Sequence, residues 1–154
     1  MHIASMFHVN LNCRNFEVSL AVYKKLGFEI EIPFPEAGHP MVGEGLGVGD
    51  HWVKGALLRL GSAPNGTRLD LLEWIRPHNP PPSRLRLTDP GLVRIALATT
   101  DFGADVSALR EMGVEFISEP ICRPLEDGAE VPFFVGFYNP DGNVLELLTR
   151  SAAA

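Results

Sequence analysis

The feature that most constrains this chain is a self-match at a fixed offset of 86 residues. Between Asn15 and Gly27, apolar side chains fall at Phe16, Leu20, Tyr23 and Leu26, a spacing that lines one face of a helix. Asn15 is suited to cap its start and Gly27 to end it. Adding 86 gives Phe102, Val106, Leu109, Met112 and Gly113, so every apolar position and the terminal glycine recur. The preceding segments match too. Phe7–Cys13 alternates His8, Asn10 and Asn12 with Val9, Leu11 and Cys13, and Val93–Thr99 sets Arg94, Ala96 and Ala98 against Ile95, Leu97 and Thr99. A unit repeated once cannot bury its apolar faces arbitrarily, because both copies must solve the same packing problem.

Three further strands are expected after each helix. They are Phe28–Ile32, Trp52–Leu60 and Thr67–Ile75 in the first half, then Val114–Glu119, Pro132–Tyr138 and Asn143–Thr149 in the second. Tight turns at Pro64-Asn65-Gly66 and Asn139-Pro140-Asp141-Gly142 join the last two strands of each half. Matching Glu73 with Glu146 implies an insertion of 13 residues in the first half, within 33–50. Its glycine-rich stretch Gly43–Gly49 lacks the phase and the Lys-Ser or Lys-Thr of a nucleotide loop and is expected to be a mobile lid, bordered by His39 and His51. The expected fold is therefore α+β: two tandem βαβββ modules whose sheets form a cupped, barrel-like mixed sheet with the helices outside. The modules are expected at 1–76 and 91–150, joined by a stiff proline-rich linker at 77–90 and followed by a tail at 151–154.

Composition narrows the partners. A 45% hydrophobic content supports a real core, and the formal charge of −6 comes without a basic patch, which disfavours nucleic acid and anionic membrane. No stretch has the length of a membrane span or the layout of a signal peptide, so a cytoplasmic protein is expected. Cys13 and Cys122 lack a CxxC spacing and read as free thiols.

Four chemistry-bearing residues sit at matching points of the repeat: His8, Glu73, Arg94 and Glu146. Alternation is taken to place Glu73 with Leu71 and Ile75, with Leu72 and Trp74 beneath the helix, and Glu146 with Val144 and Leu148. If the two sheets join, all four side chains converge on one cavity, which Asn10, Asn12, Phe134 and Tyr138 also line. Trp74, Phe133 and Phe137 read as core. A carboxylate within an apolar strand is costly unless it is paired, protonated or metal-bound.

The motifs His8-Val9-Asn10-Leu11, Tyr23-Lys24-Lys25-Leu26-Gly27-Phe28, Leu69-Asp70-Leu71-Leu72-Glu73 and Asn139-Pro140-Asp141-Gly142-Asn143-Val144-Leu145-Glu146-Leu147 resemble the vicinal oxygen chelate superfamily. That superfamily includes glyoxalase, methylmalonyl-CoA epimerase, fosfomycin- and bleomycin-resistance proteins and extradiol dioxygenases. The resemblance implies metal ligands at His8, Glu73 and Glu146, and a histidine where this chain has Arg94. Arginine does not ligate metals.

Two readings follow. In the first, His8, Glu73 and Glu146 hold a divalent ion (Mn, Fe, Co, Ni or Zn), and the protein is a glyoxalase-like lyase or isomerase acting on a small enolisable carbonyl compound. Glu73 or Glu146 then shuttles the proton, and Arg94 faces substrate oxygen. In the second, Arg94 takes the metal's place and the protein is a metal-free binder of a small molecule, of the resistance or sequestration type. A purely structural network of Arg94 with the two glutamates is the bland alternative. An extradiol dioxygenase fits less well, since Arg94 removes its second histidine. The resemblance also implies a homodimer.

Overall fold

The computed structural model describes residues 2–62, 66–80 and 86–149. The chain divides into two compact units, Met1–Pro82 and Ser83–Ala154.

The first unit runs β1 (His8–Cys13), α1 (Phe16–Lys25), β2 (Phe28–Ala37), α2 (Pro40–Leu46), β3 (Trp52–Leu60) and β4 (Arg68–Arg76). Its sheet has the order β1-β4-β3-β2, parallel between β1 and β4 and antiparallel elsewhere. The second unit runs β5 (Arg94–Thr99), α3 (Phe102–Glu111), β6 (Ile121–Pro124), β7 (Glu130–Tyr138) and β8 (Val144–Thr149), with order β5-β8-β7-β6. The architecture is thus the expected α+β pair of βαβββ modules. Each sheet is an open four-stranded layer that does not close on itself into a barrel.

The helices form where the repeat places them, for local reasons. Asn15 accepts a hydrogen bond from the Val18 backbone N–H at 3.0 Å, and Asp101 does the same for Ala104 at 3.1 Å. Gly27 and Gly113, just past the helix ends, have φ of 90° and 70°, which glycine adopts without penalty. The stripes Phe16, Leu20, Tyr23 and Phe102, Val106, Leu109 are buried against their own sheets. Each such side chain contributes roughly 1.5–3 kcal/mol relative to exposure. Leu11, Cys13, Leu69 and Leu71 complete the first core, and Val135, Phe137, Leu145 and Leu147 the second.

Three expectations change. Val114–Glu119 contributes only a bridge, Phe116 to Phe137, and the edge strand lies further on at Ile121–Pro124. Pro120, which lacks an N–H, interrupts the ladder between them. Gly43–Gly49 is not all loop: α2 occupies its first half and stops at Gly47, which is left-handed at φ 69°. Phe133 is 36% exposed rather than core. Of the two turns, Asn139–Gly142 is closed by the Gly142 N–H on the Asn139 carbonyl. The turn at Pro64-Asn65 lies outside the described residues, as do 81–85 of the proline-rich connection.

Candidate functional site

In each module one sheet face is covered by the helix, and the other face carries the polar residues of the first strand. On β1, His8, Asn10 and Asn12 point away from α1, while Leu11 and Cys13 are buried beneath it. Parallel register pairs Asn10 with Asp70 and Asn12 with Leu72, so Asp70, Leu72 and Trp74 share this helix-free face. The contacts agree. Asn10 Nδ2 donates to Asp70 Oδ2 at 3.3 Å, and Trp74 Nε1 donates to Asn12 Oδ1 at 2.9 Å. His8 Nε2 stands 3.9 Å from Asp70 Oδ2.

This placement corrects the reading of β4. Leu69 and Leu71 lie under α1, not Leu72 and Trp74, and Glu73 shares their side. Its Oε2 accepts the Phe16 backbone N–H at 2.7 Å and lies 3.4 Å from Lys54 Nζ. Glu73 therefore serves the otherwise unsatisfied N-terminus of α1. It is not brought to His8.

The sheet registers explain why. His8 aligns with Arg68 and Asn10 with Asp70, while Arg94 aligns with Val144 and Ala96 with Glu146. The offset is 86 at the first strands but 76 at the last, so Asp70 is the counterpart of Glu146 and Glu73 that of Thr149. The first module's insertion is then ten residues, not 13. The run Leu-Asp-Leu-Leu-Glu-Trp fits either phase of a strand, and only pairing with β1 selects one. Arg68, also unflagged by the sequence reading, is engaged by Glu31 in two hydrogen bonds of 2.7 and 2.9 Å.

Asp70 is electrostatically uncomfortable. Burial raises its carboxyl above the ordinary value, and the Asn10 hydrogen bond and the nearby His8 offset this only in part. Its Oδ1 is buried without a hydrogen-bond partner among the described residues. An orphaned buried acceptor costs about 1–3 kcal/mol, and a ligand donor would relieve that cost.

In the second module, the expected placement of Glu146 holds in the sheet. Leu145 and Leu147 are buried under α3, while Glu146 shares the helix-free face with Ala96 and with Gly136 of β7. Phe134 and Tyr138 lie on the same face, and Val135 and Phe137 lie beneath the helix. Arg94 Nε is 3.4 Å from Glu146 Oε2, with the Glu146 side chain 13% exposed and the Arg94 side chain 57%. The structure thus joins the site residues as one pair in each module, His8 with Asp70 and Arg94 with Glu146.

A divalent ion needs several unprotonated donors around one point. The first module supplies an imidazole and a carboxylate. The second supplies a carboxylate already paired with a cation. Among the described residues, no three His, Cys, Asp or Glu side chains gather as ligands. Taken by itself, neither module brings together the donors of a four-ligand metal centre.

Comparison with known proteins places this geometry. A glyoxalase family protein from Bacillus cereus superposes with a TM-score of 0.79 at 16% identity, covering 97% of this chain and 95% of that one. The trypanothione-dependent glyoxalase I of Leishmania major gives 0.62 at 20% identity, over 96% and 87%. The antibiotic-binding protein TnmS3 from a Streptomyces species gives 0.56 at 23% identity, over 98% and 99%. At these identities the likeness is one of fold. The search of curated proteins finds no match. The sequence pattern of the Glyoxalase/Bleomycin resistance protein/Dioxygenase superfamily matches residues 5–147, and the chain belongs to that superfamily.

Proposed function

We propose that the protein binds a small organic molecule on a helix-free sheet face, without a resident metal. The observation that carries this reading is the ion pair of Arg94 with Glu146 at 3.4 Å, where the family resemblance expects a metal-ligating histidine. A guanidinium neutralises the carboxylate that a cation would need, and it has further N–H groups to offer a ligand carbonyl or carboxylate. In the first module, Asp70 Oδ1 is an acceptor awaiting a ligand hydroxyl or amide, with Asn10 holding the carboxyl in place. Leu72 and Trp74 beside it, and Phe134 and Tyr138 in the second module, supply apolar surface. The same superfamily fold serves both glyoxalases and an antibiotic-binding protein, so the scaffold accommodates this role.

A homodimer in the cytoplasm completes the proposal. No helix among the described residues is long and apolar enough to cross a membrane.

The test is metal content. Protein purified without an affinity tag, incubated with Mn, Fe, Co, Ni or Zn and then desalted, should retain well under one equivalent. EDTA should leave its melting temperature unchanged. Near one equivalent of metal, with a fall in melting temperature on chelation, would overturn the proposal and restore the metal-dependent lyase or isomerase.

A further inference from the structure

The ten-residue insertion of the first module builds a cavity. Its volume is about 640 Å³, and its wall includes Pro40 and Glu44 of α2, Asp50, His51 and Trp52. The wall is constructed, not incidental. Gly43 sits where a Cβ would collide with the Gly49 carbonyl oxygen and lie 2.9 Å from His51 Nδ1, so glycine is what lets α2 close on this loop. Backbone N–H groups of Val48 and Gly49 return to the Gly43 carbonyl at 3.0 and 3.3 Å.

His51 is only 2% exposed. Its Nδ1 lies 3.0 Å from the Gly49 carbonyl, which can only accept, so Nδ1 carries a hydrogen, and in the neutral form of the ring the lone pair falls on Nε2. Its other flank meets Trp74, with ring centroids 5.5 Å apart. The acids of the wall differ. Asp50 is paired with Arg76 at 3.0 Å, whereas the Glu44 carboxylate has no partner among the described residues. Arg76 also stands over the Trp52 ring, 5.8 Å from its centroid, so this indole already faces one cation. The wall therefore carries the unpaired Glu44 carboxylate, the paired Asp50 and two imidazoles, His39 and His51, beside an indole and a proline. Its wall includes no lysine or arginine.

We propose that this cavity is a second ligand site, separate from the His8–Asp70 pair, that takes a small organic cation: an amine carried on a compact aromatic body. The ammonium faces Glu44 and donates to His51, and the aromatic body lies along Trp52 and Pro40.

The test uses the full chain and benzylamine, followed by backbone amide NMR, with benzyl alcohol and benzoate as neutral and anionic controls. Benzylamine should shift the amides of Glu44, Gly49, His51 and Trp52 saturably, and the controls should bind at least about tenfold more weakly. Glu44→Gln, at an exposed position where the fold is not at risk, should weaken benzylamine about tenfold and leave benzyl alcohol unaffected. Gly43→Ala, which forces α2 away from His51, should weaken it as well. Equal binding of amine and alcohol, an unchanged affinity in Glu44→Gln, or shifts confined to the His8–Asp70 face would each overturn the proposal.

Discussion

The two modules share a scaffold and differ on the face their helices leave free. Under the helices, Phe16, Leu20 and Tyr23 match Phe102, Val106 and Leu109, all buried. On the other face, His8 corresponds to Arg94, Asn10 to Ala96, Asn12 to Ala98 and Asp70 to Glu146. The first module keeps a hydrogen-bonded polar row, whereas the second keeps one ion pair among alanines and aromatics. Packing constrains the covered face in both copies, so divergence collects on the face that packing leaves free. Glu73 and its counterpart Thr149 show the same split in a structural role. Glu73 holds the start of α1, while Thr149 Oγ1 donates to the Pro132 carbonyl at 2.8 Å. In the second module Thr99 accepts the Asp101 N–H at 2.9 Å and bonds Asp105.

The largest test of this comparison addresses the shared face. Tyr23→Ala should cost about 3–5 kcal/mol and Leu109→Ala about 2–5 kcal/mol in urea denaturation. A cost below about 1 kcal/mol at either position would break the equivalence of the two cores. Next comes Glu73→Gln, which weakens the anchor of α1 and the pairing with Lys54. It should destabilise by about 1–2 kcal/mol and leave ligand binding intact, whereas Thr149→Val should cost about 1 kcal/mol or less. Lost binding with unchanged stability in Glu73→Gln would return that residue to the site.

Asp70 should behave in the opposite sense. Its carboxyl is raised in the folded state, so its contribution to stability is fully present below the ordinary aspartate value and is lost as pH rises through the folded value. Asp70→Asn should therefore stabilise the protein at pH 7, by about 1 kcal/mol, with the advantage fading as the pH is lowered towards about 4. Thermal melts across that range check this, and a destabilised variant at pH 7 would mean that Asp70 is paired for structure. Smallest in stability is Arg94→His, below about 1 kcal/mol because the Arg94 side chain is more than half exposed. Its informative readout is metal: uptake of a transition ion by this variant, absent in the parent, would show that residue 94 alone separates the two site chemistries.

Much of the fold was legible in the residues themselves. Helix stripes, capping Asn15 and Asp101 and the terminal glycines act within one or two turns, and their period of 86 could be read without coordinates. His8, Asn10, Asn12, Arg94 and Glu146 were assigned their faces by alternation alone. Asp70 does not stand out in the sequence because Leu69, Leu71, Leu72 and Trp74 satisfy either phase of a strand, and matching Glu73 to Glu146 selects the phase that the pairing of β1 with β4 excludes. The available signal was the 76-residue offset that superposes Leu-Asp-Leu on Leu-Glu-Leu. His51 borders the glycine-rich stretch in the sequence, but nothing in that stretch announces that a short helix closes on it.

What the sequence by itself determined was therefore local: two helices, their caps, their buried stripes and the duplication that relates them. Only the tertiary structure decided which carboxylate of β4 stands beside His8, that Glu73 belongs to the helix start, and that the insertion folds into a walled cavity. The physical reason is that strand phase, orphaned acceptors and glycine-permitted contacts all depend on partners distant in the chain. Backbone pairing between β1 and β4 chooses one of two faces that the apolar pattern leaves nearly equivalent.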